Sequence, residues 1–308
     1  MYQGEVLLGM GFYEIFLCIG MLSALFVADR LGIKKGFSIA LQKTLIIGAV
    51  VGVGVGLLGA VLFQAFYNYM DGGEFVVNAK TGMTFYGGLI GGIVGYLAVW
   101  FIVGKIMTKS DEPVRRFGAV ADIAACVLPM AHGFGRIGCL FAGCCHGNPT
   151  NAWYGIYMGP ENHRVKCVPI QLFEAIVLFA IAALCYVLFF KLKKEKRIPL
   201  LPIYVVTYAV WRFCIEFLRG DDRGATIVPF LSPSQLIAVI LGCAGIGYFL
   251  LWFFKFRHNP SEVTEKEYRA AKASAQTEET SLLEKMEGAG MEIPQTTVDE
   301  NTINSKDI

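Results

Sequence analysis

The sequence predicts an all-α membrane protein: a bundle of seven transmembrane helices with the N-terminus outside and the C-terminus in the cytoplasm. Three observations predict it. Of the 308 residues, 55% are hydrophobic and only 17% are charged, and the mean hydropathy is +0.53. A soluble domain has about half its residues apolar and about a quarter charged. Seven separate apolar runs are long enough to cross a bilayer, which takes about 20 mainly apolar residues in a helix. The links between those runs alternate between rich and poor in Lys and Arg. The net charge of +2 gives no overall field of the kind that draws nucleic acid.

The runs lie near 8–28, 44–66, 83–107, 117–139, 170–190, 198–218 and 234–254. The first has no basic leader and no small-residue cleavage site, so it reads as a span and not as a removable signal peptide. The second carries Gly52, Gly54, Gly56 and Gly59, a small-residue face for packing on a neighbour. The third opens with Tyr86, followed by Gly87, Gly88, Gly91, Gly92 and Gly95. The fourth merges into HGFGRIGCLFAGCCHG at 132–147. The fifth opens on Pro169, a first-turn position.

Charge in the links sets the orientation, because Lys and Arg concentrate on the cytoplasmic side. Arg30, Lys34, Lys35 and Lys43 follow the first span; Lys109, Arg115 and Arg116 follow the third. Lys191, Lys193, Lys194, Lys196 and Arg197 follow the fifth, and Lys255 and Arg257 follow the seventh. The link after the second span has only Lys80. Residues 1–257 are therefore expected to form the membrane domain. Residues 258–308, polar, net acidic and almost free of aromatics, are expected to form a largely disordered cytoplasmic tail with a nascent helix over 262–287.

That orientation leaves Arg136, Arg164, Lys166, Arg219 and Arg223 outside, where the positive-inside bias does not account for them. A ligand or internal partners do. Arg136 lies among Gly133, Gly135 and Gly138, which permit close approach of a ligand to the backbone. A guanidinium in that setting suits a lipid phosphate; snorkelling to the interface is the alternative. Arg212 and Glu216, four apart within an apolar run, share a helix face and must look into the bundle. They serve a ligand or form a structural pair. Arg219 extends the stripe and is expected to reach the outer surface, with Asp221, Asp222 and Arg223 in a solvated loop beyond it.

Tyr86 fits a phosphate-binding phenol or an interfacial belt residue. Gln171 and Glu174 share the outer face of the fifth span, where Glu174 is available to pair with an arginine or to favour the helix N-terminus. The nine cysteines are scattered through the spans except for Cys139, Cys144 and Cys145, which lie between His132 and His146. A zinc site wants spaced pairs. Adjacent Cys144 and Cys145 suit shared ligation poorly, so no metal is expected. A disulfide or redox pair involving this cluster and Cys167 remains open beside plain packing.

Several blocks together resemble the prolipoprotein diacylglyceryl transferase family: GRIG at 135–138 with Gly143 and Gly147, YGGLIGG at 86–92, PIQLFEA at 169–175, WRFCIEFLR at 211–219 and SPSQL at 232–236. They occur in the family's order and cover about residues 8–254. The resemblance implies a bacterial inner-membrane enzyme that uses no cofactor. Such enzymes move the diacylglyceryl group of phosphatidylglycerol to the lipobox cysteine in the signal peptide of a prolipoprotein. It implies that Arg136 and Arg212 are the essential arginines, that Glu216 is the acid one turn on, and that Tyr13 is a functional tyrosine. Gly135, Gly138, Cys139, Cys144, Gly147, Arg219, Gln171 and Glu174 are expected to line the substrate site, and Tyr86 is expected to join the catalytic set.

Three polar positions depart from the family's pattern. Tyr86 stands where histidine is typical, Cys139 where asparagine is, and Cys144 where glutamate is. The general base is thereby left open, with His132 and His146 as candidates. The alternatives to this reading are a divergent lipid-group transferase with another acceptor and a non-catalytic lipid-binding or transport protein.

Overall fold

The computed structural model of the chain describes residues 11–78, 81–158, 164–192, 198–220, 230–256 and 277. Seven helices are long and apolar enough to cross a membrane. They are α1 (Phe12–Lys34), α2 (Ile39–Met70), α3 (Phe85–Thr108), α4 (Phe117–Ala142), α5 (Ile170–Lys191), α6 (Leu200–Leu218) and α7 (Pro233–Phe254). Each overlaps an expected run. The helices outlast their apolar windows: α1 continues through Asp29 and Arg30, because polar residues at an interface keep helical geometry once it has been nucleated.

The protein is mostly helical, not wholly so. Strands β1 (Ile156–Met158) and β2 (Val165–Cys167) form an antiparallel hairpin in the α4–α5 link. Ile156 faces Cys167 and Met158 faces Val165. Alternation over so few residues had given no strand signal. The chain divides into two units, of which Met1–Lys193 with Ile198–Phe253 contains the spans. The expected acidic tail at 258–308 and the expected loop at 221–223 lie outside the described residues, except for residue 277.

Between 11% and 39% of each span's most apolar window is buried. Large side chains such as Leu22, Phe26, Ile93, Val94 and Leu251 stay exposed, as a bundle bathed in hydrocarbon requires. The buried side chains gather in a large cluster and a small one around Val168, Ile170 and Ile215; in the large one the spans meet. Leu31, Leu41, Leu45, Trp100, Ile123, Ile181 and Leu200 pack together from six helices. The Trp100 indole N–H, from within a π-helical segment of α3 (Val99–Val103), donates to the Pro113 carbonyl at 2.9 Å.

Helices α2 and α3 form a hairpin sealed by glycine. A Cβ on Gly52 would stand 3.1 Å from the Gly92 carbonyl, one on Gly56 2.9 Å from that of Gly88, and one on Gly59 2.5 Å from that of Gly87. The expected face is corrected at one position. Gly54 meets nothing within 4 Å, and Gly48, which a Cβ would drive against Tyr96, takes its place. Residues 48, 52, 56 and 59 share one stripe because a helix repeats every three to four residues, whereas 54 falls off it.

Strict up-and-down connection brings two sets of helix ends together. At one end Lys35 pairs with Asp122 at 3.3 Å, lies 4.3 Å from the Phe189 ring centroid, and shares the carboxylate with the Leu200 backbone N–H that opens α6. At the other end lie the start of α1, the C-termini of α4 and α6, and the N-termini of α5 and α7.

Gly59→Leu is expected to lower the unfolding temperature in detergent by several degrees, an overpacking cost of about 1–3 kcal/mol. Gly54→Leu, facing open space, should leave it unchanged. Differential scanning of the two variants reads the difference.

Candidate active site

Helix α4 carries the first part of the site. The glycine-rich stretch, into which the fourth expected run merges, is helical through Ala142. Its glycines pack. A Cβ on Gly133 would strike the Phe179 ring of α5 at 2.9 Å, and one on Gly138 would strike the Tyr13 backbone carbonyl of α1 at 3.1 Å. Gly135 meets nothing within 4 Å and leaves its face open. Two close-packed faces fix the azimuth of Arg136, whose Nε lies 3.0 Å from Glu174 Oε2 on α5. The Glu174 side chain is 1% exposed and that of Arg136 is 14% exposed. The phenol of Tyr208, on α6, donates to Glu174 Oε1 at 2.7 Å. The His132 ring stands edge-on to Tyr208, with centroids 5.3 Å apart.

Helix α6 carries the second part. Arg212 Nη2 meets Glu216 Oε2 at 2.8 Å and donates to Ser234 Oγ, also at 2.8 Å. Ser232 Oγ donates to Glu216 Oε1 at 2.8 Å. Ser232 and Gln235 cap α7 reciprocally: the Ser232 N–H donates to Gln235 Oε1 at 3.0 Å, and the Gln235 N–H to Ser232 Oγ at 3.2 Å. The cap of α7 is thus also the support of the Arg212–Glu216 pair. Arg212 Nη1 is buried and has no hydrogen-bond partner among the described residues.

Arg136 and Arg212 lie toward the same end of the bundle, near the C-termini of α4 and α6. Glu174, His132 and Tyr208 each lie in the electrostatic field of both Arg136 and Arg212. Each guanidinium holds its own carboxylate, as charge in a low-dielectric bundle demands.

Arg219 departs from expectation. It does not reach the outer surface; its side chain is 2% exposed and its Nε stands 3.9 Å from Glu216 Oε2. The reason is local. The helix tightens to a 3-10 turn over Glu216–Leu218, and Arg219 then pairs as extended chain with Gly147. The Asn148 N–H donates to the Leu218 carbonyl at 2.9 Å, and the Gly147 N–H donates to that of Val168 at 2.9 Å. Gly147 is closed in on three sides, since a Cβ would meet the Leu218 carbonyl, Val168 and Ile170 at 2.7–3.0 Å.

Gln171 is fully buried and donates to the Cys144 carbonyl at 2.6 Å, pinning the loop after α4. His146 Nδ1 lies 3.1 Å from the Gly147 carbonyl, a local contact. Tyr13 remains 39% exposed beside Gly138. Tyr86 sits on the α2–α3 hairpin, edge-on to Phe85, and among the described residues has no hydrogen bond to either arginine.

The adjacent cysteines are redirected by the backbone. Gly143 caps α4 in the left-handed conformation at φ 71°, and Cys145 follows at φ 58°. That conformation costs a residue with a Cβ about 1–2 kcal/mol. The Sγ atoms of Cys139, Cys144 and Cys145 lie within 4.8 Å of one another, so the expectation from spacing alone does not describe the fold. All nine cysteines are free thiols. Hydrogen bonds from the Cys139 and Cys144 thiols, with Arg136 and Arg219 nearby, hold Cys145 well below the usual thiol range.

Sequence reasoning missed Tyr208, Ser232 and Ser234. Tyr208 precedes Arg212 by the same four residues that separate Arg212 from Glu216, and extending that stripe finds it. The capping pattern S-x-x-Q at 232–235 marks Ser232. Nothing in the sequence joins it to Glu216.

A model of the prolipoprotein diacylglyceryl transferase family matches residues 6–252. The chain is 31% identical over 245 residues to a Clostridium tetani protein named phosphatidylglycerol–prolipoprotein diacylglyceryl transferase, covering 77% of this chain and 91% of that relative. It is 28% identical over 252 residues to the protein of that name in Clostridioides difficile, covering 80% of this chain and 90% of that relative. It is 28% identical over 241 residues to a second such transferase in Clostridium perfringens, covering 76% of this chain and 88% of that relative.

Glu174→Gln should destabilise the protein by about 3 kcal/mol, the low end of the usual loss because Arg136 keeps 14% exposure. The joint change Arg136→Met with Glu174→Leu should recover most of that in a thermal unfolding cycle.

Proposed function

The chain belongs to the prolipoprotein diacylglyceryl transferase family, and on that footing we propose that it moves the diacylglyceryl group of phosphatidylglycerol onto the lipobox cysteine thiol of prolipoproteins. This is the first step of bacterial lipoprotein maturation, and it releases glycerol phosphate. The observation that supports the mechanism is the presence of Arg136 and Arg212 toward one end of the bundle, each tethered by a buried carboxylate.

The reaction is a displacement at carbon. The peptide's sulfur attacks the glyceryl carbon, the carbon–oxygen bond to phosphate breaks, and the electron pair leaves on the phosphate oxygen. Catalysis therefore needs positive charge aimed at the phosphate and fixed before reaction. Arg136 and Arg212 supply it. A guanidinium has five N–H donors, and one edge given to a carboxylate leaves the others for ligand. The buried, unpaired Nη1 of Arg212 is one such donor.

Glu174 and Glu216 are positioning residues, stiffened in turn by Tyr208 and Ser232. Gly135 and Gly138 open and set the face of α4, while Gly147 and Arg219 close the floor. Gln171 holds the loop that carries Cys144. Tyr13 and Tyr86 serve at the approaches to the site, and His132 or His146 remain the imidazoles available for proton transfer.

The same reading sets the surroundings. Alternating basic links support an N-terminus outside, a C-terminus in the cytoplasm, and a site at the outer leaflet of the bacterial cytoplasmic membrane. Phosphatidylglycerol enters from the bilayer, and the signal peptide with its lipobox cysteine enters beside it. Residues 1–257 form the catalytic membrane domain, and residues 258–308 form an acidic tail outside the chemistry.

Arg136→Ala and Arg212→Ala should each lower the transfer rate by about 10²–10³-fold or more while the protein still inserts. Lysine at either position should restore little, because it lacks the planar fork. The assay is release of glycerol phosphate from labelled phosphatidylglycerol, dependent on the cysteine of a lipobox peptide. Full activity in either alanine variant sinks the mechanism. Failure of the wild-type protein with this pair of substrates points to another acceptor.

A further inference from the structure

The thiol cluster at the end of α4 is unlike the other cysteines. Cys18, Cys126, Cys185, Cys214 and Cys243 lie within the spans, and Cys167 is buried in β2. Cys139, Cys144 and Cys145 bring three sulfurs within 4.8 Å of one another. Two backbone features create this arrangement. Gly143 ends the helix in the left-handed conformation, and Cys145 adopts the same unfavourable conformation, which turns two adjacent side chains toward one point. The Gln171 side chain holds the intervening loop by the Cys144 carbonyl.

We propose that Cys139, Cys144 and Cys145 form a three-thiolate site for a zinc ion whose fourth position takes the lipobox cysteine of the substrate.

The dimensions suit zinc. Zinc–sulfur bonds of about 2.3 Å in a tetrahedral site place sulfurs about 3.8 Å apart. Sulfurs already within 4.8 Å reach that spacing by rotamer adjustments of about 1 Å. Among the described residues no His, Asp or Glu completes the group. The ion is left with three protein ligands and an open position, the pattern of catalytic zinc and not of closed structural sites. The surroundings suit the charge. Three thiolates around Zn²⁺ leave a net charge of −1, and Arg136 and Arg219 lie near Cys145 to offset it.

The chemical consequence rests on the transferase reading. The lipobox thiol binds zinc as thiolate, because a coordinating thiol is deprotonated outright. Its sulfur then forms the new bond to the glyceryl carbon, and the bond from that carbon to the phosphate oxygen breaks. The displaced electron pair goes to the phosphate, and the proton lost from the thiol is taken up by the departing glycerol phosphate. No oxidant or reductant is needed, and zinc is regenerated for the next thiol.

The test uses the full chain, purified under reducing conditions in lipid nanodiscs, with Zn²⁺ and Co²⁺ as probes. One equivalent of Co²⁺ should bind and give the near-ultraviolet thiolate-to-cobalt absorption. Cys139→Ser, Cys144→Ser and Cys145→Ser should each diminish that band while insertion and elution profile stay normal. A lipobox peptide should alter the band, and the same peptide with serine for cysteine should not. No saturable band in the wild-type protein, or a full band in the triple serine variant, overturns the zinc site. A peptide that leaves the band untouched, or full transferase activity in protein stripped of metal, overturns its part in thiol activation and leaves the transferase reading standing. Full activity in Arg136→Ala overturns the transferase mechanism whatever the wild-type cobalt band shows, so the two failures are distinct.

Discussion

A guanidinium inside a helix bundle must be neutralised from a neighbouring helix or within its own, and the arrangement of this molecule follows from doing both. Arg136 on α4 reaches across to Glu174 on α5, while Arg212 pairs with Glu216 one turn along α6. Neither pair stands alone. Tyr208 bridges from α6 to Glu174, and Ser232 and Ser234 bridge from α7 to the second pair. Four helices are thereby locked at one end by polar contacts. That matters in a bilayer, where apolar surface gains little by leaving lipid for protein and van der Waals fit and hydrogen bonds carry association.

The opposite end uses the same device for a different purpose. The Lys35–Asp122 pair, with the Leu200 N–H on the same carboxylate, ties α1, α4 and α6 together. No orphaned donor remains there among the described residues, whereas the site end keeps a buried Arg212 nitrogen without a partner. A satisfied network is a tie; an unsatisfied one is a place for a ligand. The contrast separates a structural ion pair from a proposed phosphate site in one molecule built from the same residue types.

Glycine does two jobs along the chain. In α2 and α3 it removes side chains so that two helices pack backbone to backbone. In α4, Gly133 and Gly138 seat the helix on α5 and α1, and Gly135 leaves an open face. The second use aims Arg136 and keeps the space beside it clear. The thiol cluster follows directly, since the left-handed turn that ends α4 is also what gathers its cysteines.

Much was determined by the sequence alone. Seven apolar runs became seven helices, because an isolated backbone in hydrocarbon must satisfy its own hydrogen bonds and only a helix does so within one segment. Arg136, Arg212, Glu216 and Glu174 were legible because charge in an apolar run is costly and needs a reason. Tertiary structure decided the rest. The sequence did not say that Glu174 would serve Arg136, that Arg219 would turn inward, or that Ser232 would hold Glu216, since these contacts join helices through space and leave no periodic trace along the chain. It argued against shared ligation by Cys144 and Cys145, because spacing assumes ordinary backbone geometry. A single left-handed residue at 145 removed that assumption and turned neighbouring thiols toward a common centre.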